Sequence, residues 1–415
     1  MSTAALLLIV INLGLVWLLL AAPLGRRTIR LSRHLDAAPQ RVWNALNPLG
    51  KNADWRASVV STRAVAENRA VHVHSNLDRT GQPIEVVYQV EVDGNGSGYM
   101  AQVVEDTALD PIFWRNYREH CTLRPVAEGT DVLIERSDRY RGFAFLIFRY
   151  FSLRREMNAL SAWLNDGRVK TGGIFEHPLT QFSLAVFSTI LLWPFFGLNL
   201  TGLMLSSMLT VVIALHELGH MVAFRAFGHK RVRMVFIPLL GGIAIGGRPY
   251  NSRFEIAVCA IMGAGVSGFF VPLITGVTHA AENGWLTAEL MRPSLVFLLI
   301  LGAFNLLNLL PMQRFDGGQA IRQIFRTPTL QVVGSFLISG AILFTGWEIG
   351  LPREALMTAL AVFALLSFMV KSGAKPRHAM MPMSDPERLM AGLGLYAAVL
   401  IHAYAIIRAC SKLFA

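Results

Sequence analysis

Charged residues are scarce in this sequence. Asp, Glu, Lys and Arg make up 16% of its 415 residues, whereas hydrophobic residues make up 53%. This composition excludes an ordinary soluble protein over the whole length. The apolar residues cluster at residues 4–22 and in several long stretches after residue 178, each long enough to cross about 30 Å of hydrocarbon. Residues 28–170 have a mixed composition, so the sequence predicts an integral membrane protein with one soluble domain.

Cysteine is also rare. The three cysteines, Cys121, Cys259 and Cys410, show no Cys-x-x-Cys spacing and are too few for a disulfide framework. We expect three buried thiols.

Acidic residues are fewer than basic ones, 27 against 38, which gives a net charge of +11. Such a charge can indicate a nucleic-acid partner. The basic residues recur beside the apolar stretches, however, which is typical of cytoplasmic loops of membrane proteins. We therefore expect the lipid bilayer as a partner and no nucleic acid.

The first apolar stretch lacks the basic start of a cleaved signal peptide, because residues 1–4 contain no Lys or Arg. Its positive charges follow it, at Arg26, Arg27, Arg30 and Arg33. This order favours an uncleaved anchor over residues 1–25, with the following domain in the cytoplasm.

Residues 26–170 alternate between strand patterns and two helical patterns. A short helix is predicted at Pro39–Leu46 and a long amphipathic one at about Ala144–Leu164. Strands are predicted at Thr28–Leu35, Ala57–Ala64, Ala70–Leu77, Ile84–Val92, Tyr99–Val104, Trp114–Leu123 and Asp131–Arg136. This order predicts an α+β domain in which a curved sheet wraps a helix.

The segment Leu35–Leu46 resembles the first strand and helix of the START-like (polyketide cyclase, helix-grip) superfamily. Members of that superfamily often hold an apolar ligand between the sheet and the long helix. The resemblance leaves two roles open for this domain: binding a ligand, or regulation and substrate docking without one.

The second half predicts seven further spans, which with the anchor make a polytopic α-helical protein of about eight transmembrane helices. Loops predicted inside carry most of the arginines and lysines. The spans are at about 180–198, 202–227, 254–277, 293–311, 329–348, 354–371 and 388–409.

Within the second span, His216 and His220 are four residues apart, so one helical face carries both imidazoles. Glu217 lies beside them, where it can move a proton to and from a metal-activated water. Three ionisable groups at bilayer depth are costly and indicate function. Zinc in a hydrolytic site takes three protein ligands. Asp316 is the predicted third, because Pro311 ends the preceding span and Gly317-Gly318 allow the chain to turn back.

These residues resemble the site-2 protease family of intramembrane zinc metalloproteases. That family pairs His-Glu-x-x-His with a later Asn-x-x-Pro and Asp-Gly, here Asn308, Pro311, Asp316 and Gly317. The resemblance implies a metalloprotease core over residues 178–330, with additional helices over 329–415. It implies that His216, His220 and Asp316 bind Zn²⁺ and that Glu217 is the catalytic acid and base. For Asn308 it implies contact with the substrate backbone or the oxyanion, and a hydrogen bond between neighbouring helices is an equal alternative.

The interrupted segment Met234–Pro249 is predicted to line a protein cavity rather than to span the membrane. The family has a re-entrant hairpin there, which implies that Gly241 and Gly242 contact an extended substrate. Implied substrates are single-span membrane proteins such as anti-sigma-like regulators, in a bacterial inner (plasma) membrane. The segment Gly263–Gly268 departs from the family pattern, and the connectors are too short for the PDZ domain of many relatives.

Two other functions remain open from the sequence. A metal-ion transporter would also bury His and Asp residues in the membrane. A lipid-binding or ligand-binding scaffold would leave the metal site vestigial, although an intact Glu217 argues against that.

Overall fold

The computed structural model describes most of the chain. The described residues are 3–50, 55–56, 58–77, 82–94, 96–109, 111–167, 177–229, 232–237, 241–246, 250–312, 315–354, 356–357 and 380–414. They form two compact units, a first made by residues 7–167 and a second made by residues 3–6, 177–357 and 380–414.

The first unit begins at residue 7, within the apolar helix α1 (Thr3–Leu20). It continues as one antiparallel sheet of seven strands, in the order β1-β7-β6-β5-β4-β3-β2. Two helices, α2 (Pro39–Leu46) and α4 (Phe143–Asp166), complete it, with a single helical turn α3 (Pro111–Trp114) before β6. The strands are β1 (Pro23–Leu35), β2 (Val59–Ala66), β3 (Arg69–Leu77), β4 (Pro83–Val92), β5 (Gly98–Asp106), β6 (Arg118–Val126) and β7 (Gly129–Arg141).

The core of this unit lies between the sheet and α4. Leu153, Met157, Leu160 and Leu164 recur at helical spacing on α4 and are buried. The even-numbered residues of β7 from Thr130 to Tyr140 are buried on the facing side of the sheet. The sheet therefore grips α4, as the predicted α+β arrangement requires.

A charged network is buried in the same core. Glu119 accepts hydrogen bonds from Arg136 at 2.7 Å and from the hydroxyls of Tyr99 and Tyr117, each at 2.9 Å. Burial opposes the charged form of Glu119, but Arg136 and Arg56 favour it more strongly and lower the pKa of its carboxyl to about 2.

One predicted strand begins too early. The sequence predicts Trp114–Leu123 as a strand, but Pro111–Trp114 is helical and β6 begins at Arg118. Pro111 favours a helical first turn. The Trp114 indole also donates to the Asp106 carboxylate at 2.9 Å, which holds this turn back against the end of β5.

The second unit is helical apart from the two-stranded hairpin β8 (Arg233–Ile237) and β9 (Gly241–Ile245). Its helices are α5 (Pro178–Leu192), α6 (Leu200–Ala226), α7 (Arg253–Gly268), α8 (Phe270–Glu282), α9 (Met291–Asn308), α10 (Asp316–Ile324), α11 (Pro328–Glu348) and α12 (Asp385–Leu413).

Six helical stretches among the described residues are long and apolar enough to cross a membrane. They are Leu179–Phe196, Leu200–Ala226, Arg253–Glu282, Ala288–Asn308, Pro328–Glu348 and Asp385–Leu413. Six of the eight predicted spans correspond to these. The span predicted at 354–371 falls largely outside the described residues, and α1 contains a shorter apolar stretch, Val10–Leu19. The total of eight remains a prediction.

Candidate metal centre

Helix α6 carries the two histidines in its second half. Its first turn is capped by Asn199, whose side chain accepts a hydrogen bond from the Gly202 N–H at 2.8 Å. His216 is 3% exposed, and the ring centroids of His216 and His220 are 4.7 Å apart because one helical turn separates them. Both imidazoles therefore point into the interior of the second unit.

Asp316 reaches these rings from α10. Its Oδ2 atom lies 3.0 Å from His216 Nε2 and 3.3 Å from His220 Nε2, and the two Nε2 atoms are 3.1 Å apart. The structure thus brings the three predicted ligands together, although His216 and Asp316 are 100 positions apart in the sequence.

The opposite nitrogen of each ring faces an acceptor. His216 Nδ1 lies 2.8 Å from the Asn305 side-chain oxygen, and His220 Nδ1 lies 2.6 Å from the Cys259 carbonyl oxygen. The Asn305 amide nitrogen donates to the Leu301 carbonyl, which fixes the oxygen toward His216. In the tautomer in which each Nδ1 donates to its acceptor, each Nε2 has a free lone pair on the side of the Asp316 carboxylate and can bind a metal.

Two imidazole nitrogens and a carboxylate oxygen that face one point are a donor set that zinc binds. A tetrahedral zinc site with ligands at about 2.0–2.1 Å places the ligand atoms about 3.3 Å from each other. The observed triangle, with sides of 3.0, 3.1 and 3.3 Å, is slightly tighter than this. The residues present fit a zinc ion held by His216, His220 and Asp316, with the fourth position open.

Glycines allow α7 to approach these histidines. A Cβ on Gly219 would lie 2.1 Å from the Met262 carbonyl oxygen, so α6 and α7 meet backbone to backbone. A Cβ on Gly263 would lie 2.5 Å from His220 Nε2 and 2.7 Å from His216 Cε1. Any larger residue at position 263 would occupy the space of the two rings.

The turn that delivers Asp316 also depends on glycine. A Cβ on Gly317 would lie 1.9 Å from the Leu309 carbonyl oxygen, and one on Gly318 would lie 2.0 Å from the Met312 carbonyl oxygen. Both residues are helical and neither has a positive φ. They are needed because the start of α10 packs directly against the backbone after α9, and not for unusual backbone angles.

Glu217 lies between α6 and the hairpin. It is buried, and a Cβ on Gly242 of β9 would lie 2.3 Å from its Cγ atom. One ligand atom from each of His216, Glu217 and His220 lies within 4.8 Å of the others, so the carboxylate is close to the candidate metal position.

Asn305 is not among the site residues predicted from the sequence. Asn308, implied by the family pattern, instead donates to the Phe304 carbonyl one turn back at 3.0 Å, and its contact with substrate stays a prediction. Asn305 is fully buried in an otherwise apolar stretch of α9. A buried amide at bilayer depth is itself a functional signal that the sequence offered.

Comparison with known proteins gives one curated relative of interest. The chain is similar to a protein named Zinc metalloprotease MJ0392 from Methanocaldococcus jannaschii, with 28% identity over 118 residues. The matched part is 28% of this chain and 33% of that protein, so the chain spans about a third of the length of the curated relative it matches. No protein-family model matches the chain.

Several solved structures are similar to the chain over 34% of its length. A START superfamily protein from Mycobacterium smegmatis is 8% identical with a TM-score of 0.28, and 99% of that protein is covered. Ara h 8.0201 is 11% identical with a TM-score of 0.27, also over 99% of its chain. Because these scores are low, the helix-grip description of the first unit depends on its own strand and helix order.

Proposed function

We propose that the chain is an intramembrane zinc metalloprotease of the site-2 type that cleaves membrane-anchored, single-span proteins. The observation that carries the proposal is the triangle of potential ligand atoms from His216, His220 and Asp316, with Glu217 beside it. A purely structural zinc site is closed by four protein ligands. Three ligands and an adjacent buried carboxylate are the arrangement of a hydrolytic site.

Zinc bound by these ligands would polarise the scissile carbonyl and make an attacking water more acidic. Glu217 takes the proton from that water and passes it to the leaving nitrogen. Asn305 and the Cys259 carbonyl keep both Nδ1 atoms protonated, so both Nε2 atoms remain ligands through the cycle.

The β8–β9 hairpin supports the proposal that the substrate binds in an extended conformation. β8 is held on its outer side by α5, because the Phe236 N–H donates to the Gln181 side chain at 2.8 Å. Gly242 of β9 lies against Glu217, because a Cβ at position 242 would be 2.3 Å from the Glu217 Cγ atom. A substrate strand paired along β9, over Gly241 and Gly242, would pass the general base. Cleavage therefore requires local unwinding of the substrate helix.

The wider assignment is also part of the proposal. We propose eight spans, a catalytic centre open to the cytoplasmic side, a cytoplasmic first unit and a bacterial inner-membrane location, with anti-sigma-like regulators as substrates. The concentration of arginine and lysine in the loops that would then be cytoplasmic supports this topology.

Cleavage of a single-span test protein by the purified chain in liposomes tests the proposal, with bound zinc measured in parallel. Glu217→Gln should abolish cleavage and keep zinc, because the amide preserves shape but cannot take a proton. Zinc binding without cleavage of any single-span protein tried, together with zinc flux into the liposomes, would contradict it and favour a metal transporter.

A further inference from the structure

The first unit exposes apolar side chains at one end. On α4, Phe148 is 57% exposed, although the helix buries a complete apolar face elsewhere. On α3, Ile112 is 75% exposed. The residues that make up this anchor-end surface are Leu109, Ile112, Phe113, Phe143, Ile147, Phe148 and Phe151.

Strand order places both helices at the same end of the sheet. β7 ends at Arg141, directly before α4, and β6 begins at Arg118 opposite Ser137 of β7. β5 is antiparallel to β6 and so ends at this end too, where α3 follows it. The Arg149 guanidinium on α4 lies 5.9 Å from the Trp114 ring centroid, so α3 and the first half of α4 are neighbours.

The helix α1 leaves the sheet at this same end. Pro23, the first residue of β1, pairs with Arg141, and the Gly142 N–H donates to the Ala22 carbonyl at 2.9 Å. Phe143, the first residue of α4, is therefore next to the end of α1. Phe151 is only about 12 Å further along the α4 axis.

Arginines surround this exit. Arg26 of β1 lies directly opposite Arg139 of β7, and Arg141 is two residues further along the same strand. All three are exposed, and within the described part of the chain none pairs with an acidic side chain. Like charges directly opposite each other in a sheet are unfavourable unless something negative compensates them.

We propose that the anchor-end surface rests in the headgroup region of the anionic bilayer into which α1 inserts. Aromatic and aliphatic side chains enter the boundary between headgroups and acyl chains, while Arg26, Arg139 and Arg141 meet lipid phosphates. Continuity with α1 identifies the bilayer as the occupant, because any surface at the end of a membrane anchor is held at the lipid headgroups. The orientation of the first unit relative to the bilayer is thereby fixed, and its strands extend away from the membrane surface.

Lipid quenching of a single environment-sensitive label tests this in the full-length protein. The label is placed on Phe148→Cys, in a Cys410→Ala background because Cys121 and Cys259 are buried and Cys410 is partly accessible. Val65→Cys is the matched control, since Val65 is 55% exposed but lies on β2, at the far edge and opposite end of the sheet. Leu13→Cys reports whether α1 itself is inserted.

Vesicles contain phosphatidylcholine and phosphatidylglycerol in equal amounts, with a trace of nitroxide-labelled lipid. We expect the label at position 148 to be quenched at least about threefold more than that at position 65. Replacing Arg26, Arg139 and Arg141 together by glutamine, or omitting phosphatidylglycerol, should reduce the difference.

Three results would overturn the proposal. Equal lipid quenching at positions 148 and 65, with Leu13→Cys quenched, would show an inserted anchor and a surface away from lipid. Shielding of position 148 from both nitroxide lipid and aqueous iodide would show that protein covers the surface. Quenching unaffected by the arginine substitutions and by phosphatidylglycerol would exclude recognition of anionic lipid.

Discussion

Gly263→Ala should disable the metal centre by adding one methyl group. The new Cβ would lie 2.5 Å from His220 Nε2 and 2.7 Å from His216 Cε1, whereas ordinary contacts begin at 3.4 Å. The His220 ring would therefore have to move by about 0.9 Å, the difference between 3.4 and 2.5 Å. A misplacement of about 1 Å can cost about 100-fold in rate. Disturbed ligand orientation costs about 10–100-fold in metal affinity.

The assay is zinc affinity by chelator competition, followed by cleavage of a single-span test protein. Gly265→Ala is the matched control, because it lies on the same helix and its Cβ would meet only the flexible Met262 side chain, at 3.3 Å. Both substitutions gain about 1 kcal/mol of helix propensity, so a difference between them reports the site. Unchanged zinc affinity in Gly263→Ala would refute the reasoning that the two rings meet at this position.

Three further predictions follow from individual contacts. Asn305→Ala should weaken zinc binding about 10–100-fold, because the His216 ring loses its hydrogen-bond partner. Asn308→Ala should lower cleavage and leave zinc affinity unchanged. Equal effects of the two substitutions on zinc affinity would contradict this prediction. Gly242→Ala should lower cleavage with zinc retained, because its Cβ would displace Glu217; wild-type turnover would count against it. Burial and Arg56 lower the pKa of His72 to about 4 from 6.5, so neutral His72 stabilises the first unit fully above pH 6.5. This contribution to the free energy of unfolding, about 3 kcal/mol at most, is lost as pH falls toward 4. His72→Gln should therefore reduce the pH dependence of the unfolding temperature, measured by tryptophan fluorescence.

Local patterns in the sequence predicted much of the fold and half of the site. The helix Pro39–Leu46 has the predicted bounds, because a proline at its start and an apolar face define it within eight residues. The spacing of His216 and His220 required only helical geometry. Asp316 was predicted because Pro311 ends the preceding span and Gly317-Gly318 allow the chain to turn back, and these residues lie within ten positions of one another.

The supporting contacts could not be predicted because they depend on how helices rotate and pack. Asn305 and Asn308 are one turn apart on α9, and nothing local shows which of them faces α6. The Cys259 carbonyl that holds His220 belongs to the backbone, which carries no residue-specific signal. Gly263 lay in a segment that departs from the family pattern, and its role became visible only from its distance to the two rings.

The most direct test of the central claim is an X-ray absorption spectrum at the zinc edge of the purified full-length protein. The account predicts one zinc per chain with two imidazole nitrogens and the remaining ligands oxygen, all at about 2.0–2.2 Å. A sulfur shell at about 2.3 Å, or a site with other than two histidines, would contradict it.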